Sequence, residues 1–141
     1  MLAPRSATTY LSPNIPILHT YRSSVYVGLV ALNEQRFYIL TALASGPLHG
    51  YAIAEEIARV SDGSHAPRPG SLYHAIDKLI EQQLLELDRE EVVDGRLRRY
   101  YRLTETGVLR LTDEATRRAA SAQVALRRLQ PGFGTAFGAL T

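Results

Sequence analysis

A chain of 141 residues with 45% hydrophobic side chains is long enough for one small core and too apolar for wholesale disorder. It has no cysteine, which excludes disulfides, thiolate metal sites and cysteine nucleophiles, and its four scattered histidines (His19, His49, His65, His74) lack metal-site spacing. A net charge of +2 does not itself argue for nucleic acid, yet fifteen of the sixteen basic residues are arginine, which suits phosphates and base edges or a codon bias equally.

Residues 1–31 hold three of the seven prolines and no acid, and read as an N-terminal extension, possibly flexible. The longest apolar run, Val25 to Leu32, is too short to span a membrane, and no charge cluster or cleavage site marks a secretory signal. A cytoplasmic location without membrane contact is expected. From Asn33 the pattern tightens. Phe37, Leu40 and Ala44, with Ile39 and Leu43, recur at helical spacing behind an Asn33 N-cap, and Gly46-Pro47 ends the helix. A second helix follows, with Ile53, Ile57 and Val60 inward. After a turn-rich connection over 61–70 comes a third, Ser71 to about Gln83, striped by Leu72, Ile76, Leu79 and Ile80. The period then changes to two. Leu85 and Leu87 alternate with Glu86 and Asp88, Asp94-Gly95 is a hairpin turn, and "LRRYYRL" returns. Thr104 caps a last helix that reaches Leu129 and measures roughly 35–40 Å.

Three helices followed by a two-stranded ribbon is the order of a winged helix-turn-helix, a mainly α (α+β) fold. The division expected is a DNA-binding domain over 32–103, a dimerisation helix over 104–130 and a tail over 131–141. In such folds the second helix of the motif enters the major groove. Its outward face here carries Ser71, His74, Lys78 and Glu81, with Tyr73 on the flank, and the donors of Ser71, Tyr73, His74 and Lys78 are expected to meet phosphates or bases. In the ribbon, Val93 should pair with Arg96, Val92 with Leu97, Glu91 with Arg98 and Glu90 with Arg99. Alternation puts Leu97, Tyr101 and Leu103 on one face and Arg96, Arg98, Tyr100 and Arg102 on the other, and one of Tyr100 and Tyr101 in the core. Arg98 and Arg99 can make cross-strand ion pairs worth roughly 0.2–1 kcal/mol, or meet phosphates. Arg96 faces no acid. Arg96 and Arg98 are therefore the expected DNA contacts, while Arg99 and Arg102 are candidate ribbon stabilisers.

Three blocks, "YILTALASGPLHGYAIAEEI", "PRPGSLYHAIDKLIEQQLLE" and "DGRLRRYYRLTETG", resemble the PadR family of bacterial transcriptional regulators over residues 33–129. The resemblance implies a homodimer on a palindromic operator in double-stranded DNA, usually a repressor, often released by a small molecule. It implies that Tyr73 and Lys78 act on the recognition helix, that Arg96, Arg98 and Arg99 act on the wing, and that Gly50 and Tyr51 are structural. One departure is Gln83, where relatives commonly have glycine. Only 37 residues follow Thr104, so the chain looks like the short form with a single final helix.

Val108, Leu111, Ala115, Ala122, Ala125 and Leu129 form a rough heptad interrupted by Arg118, and with Phe37 they are the expected dimer contacts. The resemblance implies that flat hydrophobic compounds can bind in a pore at the dimer interface, sometimes stacked on tryptophan. This chain has none, and Phe37 and Tyr38 are the residues to inspect. No cofactor or metal is expected. Two other readings stay open: a winged-helix module that binds another protein, with only non-specific DNA affinity, and an enzyme, for which no motif is visible.

Overall fold

The computed structural model describes residues 31–131, so the expectations for the N-terminal extension and most of the tail lie outside the described residues. Helix α1 spans Glu34–Ala42 and ends in a 3-10 turn over Leu43–Ser45; α2 spans Gly50–Val60, α3 Pro69–Glu81 and α4 Glu105–Arg128. Strands β1 (Leu48–His49), β2 (Leu85–Val93) and β3 (Arg96–Leu103) form one antiparallel sheet in the order β1-β3-β2. The fold is the expected winged helix-turn-helix arrangement of helices and wing, with one addition. Leu48 and His49, in the connection between the first two helices, pair with Tyr101 and Tyr100 and make the ribbon three-stranded at its base.

The caps explain where the helices begin. Asn33 accepts a hydrogen bond from the Arg36 N–H at 2.8 Å, and Thr104 accepts from the Gly107 N–H at 2.9 Å. Helix α3 starts two residues earlier than expected, because Pro69 sits at its first position, where a missing N–H costs nothing. Its exit resolves the departure at Gln83. That residue takes φ 62, while the Gln83 N–H bonds the Ile80 carbonyl and the Leu84 N–H bonds the Leu79 carbonyl. This is a Schellman stop, with glutamine held in the left-handed conformation that glycine adopts without strain.

The core joins Ile39, Leu40, Ala42 and Leu43 to Ile53, Ile57, Leu72, Ala75, Ile76, Leu79, Leu84, Leu85 and Tyr101. Ala44, expected inward, is exposed in the 3-10 turn, and Ala42 takes its place. Where α4 leaves the sheet, Gly107 lies against the α3–β2 connection. A Cβ there would stand 2.1 Å from the Leu84 carbonyl oxygen, which also accepts the Thr104 N–H.

The first half of α4 packs on α1 through buried charge. Arg110, Asp113 and Glu114 are all buried. Arg118, which interrupts the heptad, lays its guanidinium 4.0 Å over the Phe37 ring and donates to Glu114, Glu34 and the Leu32 carbonyl. Burial pushes the Glu114 carboxyl up. The hydrogen bonds from Arg118 and the Leu32 N–H outweigh it and hold the pKa below the usual range. The second half of α4, from Ala119 on, is exposed on every side. Rotation at 100° per residue places Val108, Ala115, Ala119, Ala122, Leu126 and Leu129 along one line, so Leu126 replaces Ala125 in the stripe.

Candidate nucleic-acid interface

Three elements meet around an open cleft of about 800 Å³: the start of α2 (His49, Gly50, Tyr51), the outward side of α3 (Tyr73, Asp77) and the wing (Arg96, Leu97, Arg98, Arg99, Tyr101). The recognition helix is positioned first. Leu72, Ala75, Ile76 and Leu79 are buried, which fixes its rotation about its own axis. The Tyr73 ring lies directly over Gly50, where a Cβ would stand 2.2 Å from the Tyr73 hydroxyl oxygen. Gly50 is thus more than a helix start, since only glycine leaves room for this ring. The Ser71 hydroxyl is engaged with the Gln35 side chain at 3.1 Å, which ties the start of α3 to α1. Lys78 stands 3.5 Å from Glu81, and His74 is exposed.

The hairpin turn has both central residues at positive φ, Asp94 at 52° and Gly95 at 76°, and the register from Val93↔Arg96 to Glu90↔Arg99 is as expected. Further down, an extra residue at Asp88 breaks the ladder between Leu87 and Arg89. The Asp88 carboxylate there meets both Arg89 and Arg102.

The wing arginines divide cleanly. Arg99 pairs with Glu90 at 2.8 Å, and Arg102 pairs with Glu86 at 2.8 Å. The expected alternative pair of Arg98 with Glu91 does not form, because Glu91 accepts the Tyr100 hydroxyl at 2.9 Å and meets Arg89 instead. The Tyr100 bond holds the Glu91 carboxyl below the ordinary carboxylate range. Arg89 also stacks 3.8 Å over the Tyr100 ring. Among the described residues, Arg96 and Arg98 make no ion pair, and both line the cleft.

On the wing the expected faces hold, but burial along them is uneven. Tyr101 is the buried tyrosine, but Leu97 on the same face is 55% exposed, and its partner Val92 is 69% exposed. The hairpin tip extends past the helices, so inward alternation there has no core to meet. Leu87 is exposed too.

His49 closes the cleft from the α2 side. Its Nδ1 accepts the Ala52 N–H at 3.3 Å as the N-cap of α2, and its ring meets Tyr100 edge-on with centroids 5.3 Å apart. Partial burial, followed by the charge of Arg98, lowers its pKa, so the neutral ring that can accept at Nδ1 is favoured.

Sequence reasoning missed two residues. Tyr51, read as structural, is 69% exposed at the cleft. Asp77 stands with His74 on the outermost line of α3, and the signal that would have found it is the burial of Ala75, which turns the helix. The expected dimer and effector residues lie elsewhere. Phe37 and Tyr38 pack edge-on with centroids 5.6 Å apart, Tyr38 meets His65, Leu111 packs against the core, and none of them lines the cleft. Among the described residues, no group of acids and histidines could hold a metal, and no helix is long and apolar enough to cross a membrane.

The family model of the transcriptional regulator PadR-like family matches residues 39–113. An uncharacterized 37.1 kDa protein in transposon TN4556 of Streptomyces fradiae is 49% identical over 53 residues, 38% of this chain and 15% of that protein. The transcriptional regulator Rv3488 of Mycobacterium tuberculosis is 37% identical over 79 residues, 56% of this chain and 70% of that protein. In fold, the chain is similar to Bacillus subtilis PadR, whose crystal structure is a complex with operator DNA. The TM-score is 0.52 at 22% identity, over 57% of this chain and 46% of that one. The match thus spans less than half of the transposon protein and of the Bacillus chain.

Proposed function

Because the chain belongs to the PadR-like family of transcriptional regulators, we propose that it binds operator DNA through α3 and the wing as a homodimeric repressor. The observation that carries this reading is the convergence of Tyr73, exposed on α3, with Arg96 and Arg98, the wing arginines that make no ion pair among the described residues, on one cleft. Helix α3 enters the major groove with His74 and Lys78 outward. Tyr73 and the two arginines take phosphates on either side, and Arg99, held by Glu90, supports the ribbon. Ser71 acts by anchoring α3 to α1 through Gln35.

Two copies join along the outer stripe of α4, through Val108, Ala115, Ala122, Leu126 and Leu129, with Leu111 and Phe37 behind it. The full exposure of the second half of this helix supports the pairing, since an isolated helical arm buries none of its apolar residues. A small hydrophobic effector would act next to that seam, at Phe37 and Tyr38, by shifting α1 against α4.

The test is a mass measurement in solution, with fluorescence anisotropy on a duplex from the gene's own upstream region and on a scrambled one. A dimer that prefers the upstream duplex supports the reading. A second reading, a winged-helix module for a protein partner, is favoured by the exposed Val92–Leu97 pair at the wing tip. It predicts weak and equal binding to both duplexes.

A further inference from the structure

The recognition surface holds an unpaired charge of the wrong sign. Asp77 is exposed in the second half of α3 and lines the cleft together with Arg96, Arg98 and Arg99. Nearby carboxylates are engaged: Glu81 with Lys78, Glu86 and Asp88 with Arg102, Glu90 with Arg99, Glu91 with Tyr100. Asp77 has neither an ion pair nor a hydrogen bond among the described residues, although three arginines share its cleft. Its charge reaches Tyr101, whose hydroxyl is raised in pKa chiefly by burial and in smaller part by Tyr73 and Asp77.

A free carboxylate facing a polyanion repels every phosphate it approaches, so general affinity for DNA gives no reason for it. A carboxylate only accepts hydrogen bonds. In the major groove the donors on base edges are the amino groups at cytosine N4 and adenine N6. Adenine sets the N7 acceptor beside its amino group, a pairing that suits an amide and repels a second carboxylate oxygen. Cytosine N4 carries no such neighbour. The position also fits. His74, Asp77 and Glu81 follow one line along α3, opposite the buried Leu72, Ala75, Ile76 and Leu79, so Asp77 faces the floor of the groove rather than its phosphate rims.

We propose that Asp77 is a specificity-determining residue that reads a cytosine in the bound DNA through its N4 amino group, at the cost of some general affinity. This rests on the DNA-binding reading above and adds the base and the residue that selects it.

The experiment is selection of the full-length chain on a randomised duplex library, for the wild type, Asp77→Ala and Asp77→Asn, followed by anisotropy on the selected duplexes. The wild type is expected to demand cytosine at one position, with about a tenfold loss for other bases there, the order of one base-edge contact. Asp77→Ala should keep the rest of the site, become indifferent at that position, and bind scrambled duplex at least as well as the wild type. Asp77→Asn should move the preference toward adenine. An unchanged thermal melt is expected for both variants, because the side chain is exposed. Identical preferences at every position for wild type and Asp77→Ala would overturn the proposal while leaving DNA binding intact. A wild type that selects no sequence would overturn both.

Discussion

Helix α3 and the wing face the same cleft, but they are built on opposite principles. The helix is rigid and nearly neutral. Its rotation is set by four buried side chains, its start by Pro69 and the Ser71–Gln35 contact, its stop by a Schellman motif, and its Tyr73 by Gly50. The wing projects beyond the core, exposes Val92 and Leu97, and carries its arginines among acids that neutralise some and leave others free. A rigid helix with few charges suits base reading, which demands placement to within a fraction of an ångström. A partly neutralised ribbon suits phosphate contact, where two free guanidinium groups supply attraction without a large non-specific field.

The largest test strikes the junction on which both regions depend. Gly107→Ala would drive a Cβ against the Leu84 carbonyl, between the exit of α3 and the start of α4. A loss of about 3 kcal/mol is expected, read as a fall of more than about 10 °C in Tm. Gly50→Ala strikes the helix side alone. The new methyl displaces the exposed Tyr73 ring, so DNA affinity should drop roughly tenfold with little change in stability, since the ring can swing outward and alanine favours the helix. A Gly50→Ala chain that binds DNA normally would show that the placement of Tyr73 is immaterial.

Gln83→Gly sharpens the contrast in the other direction. It relieves a non-glycine residue at φ 62 and should stabilise the chain by about 1 kcal/mol, measured by chemical denaturation. The smallest effect belongs to His49. Its folded pKa is depressed, so between that value and the ordinary one of about 6.5 the unfolded chain binds more protons and stability rises with pH. The contribution is complete above about 6.5 and is lost as the pH falls from there through the depressed folded value. Melts at pH 7.5 and 5.5 should show a slight acid loss that His49→Asn abolishes, because asparagine caps α2 without titrating. An equal loss in both chains would assign the pH response to other groups.

The order of elements was legible because each announces itself locally. Asn33 and Thr104 are caps, Asp94-Gly95 fixes a turn, and the stripes of α2 and α3 follow helical periodicity. The register of the hairpin tip followed from the turn alone, which is why Glu90↔Arg99 was foreseeable. What stayed hidden depends on distant partners. The bulge at Asp88 draws Arg102 into the ribbon, Gly50 makes sense only beneath Tyr73, and Arg118 looks like a flaw in a heptad until Phe37, Glu34 and Leu32 are seen around it. Exposure at the wing tip was not legible for the same reason. Alternation tells which face a residue takes, but not whether anything lies against that face.

On the proposed reading, the unpaired wing arginines, and not the paired ones, meet DNA. The most direct measurement is the salt dependence of binding to the upstream duplex for wild type, Arg98→Ala and Arg99→Ala. The slope of log K against log salt should fall by about one for Arg98→Ala. It should stay unchanged for Arg99→Ala, whose loss should appear only as a small fall in stability. Equal slopes for all three chains, or a fall confined to Arg99→Ala, would contradict the account.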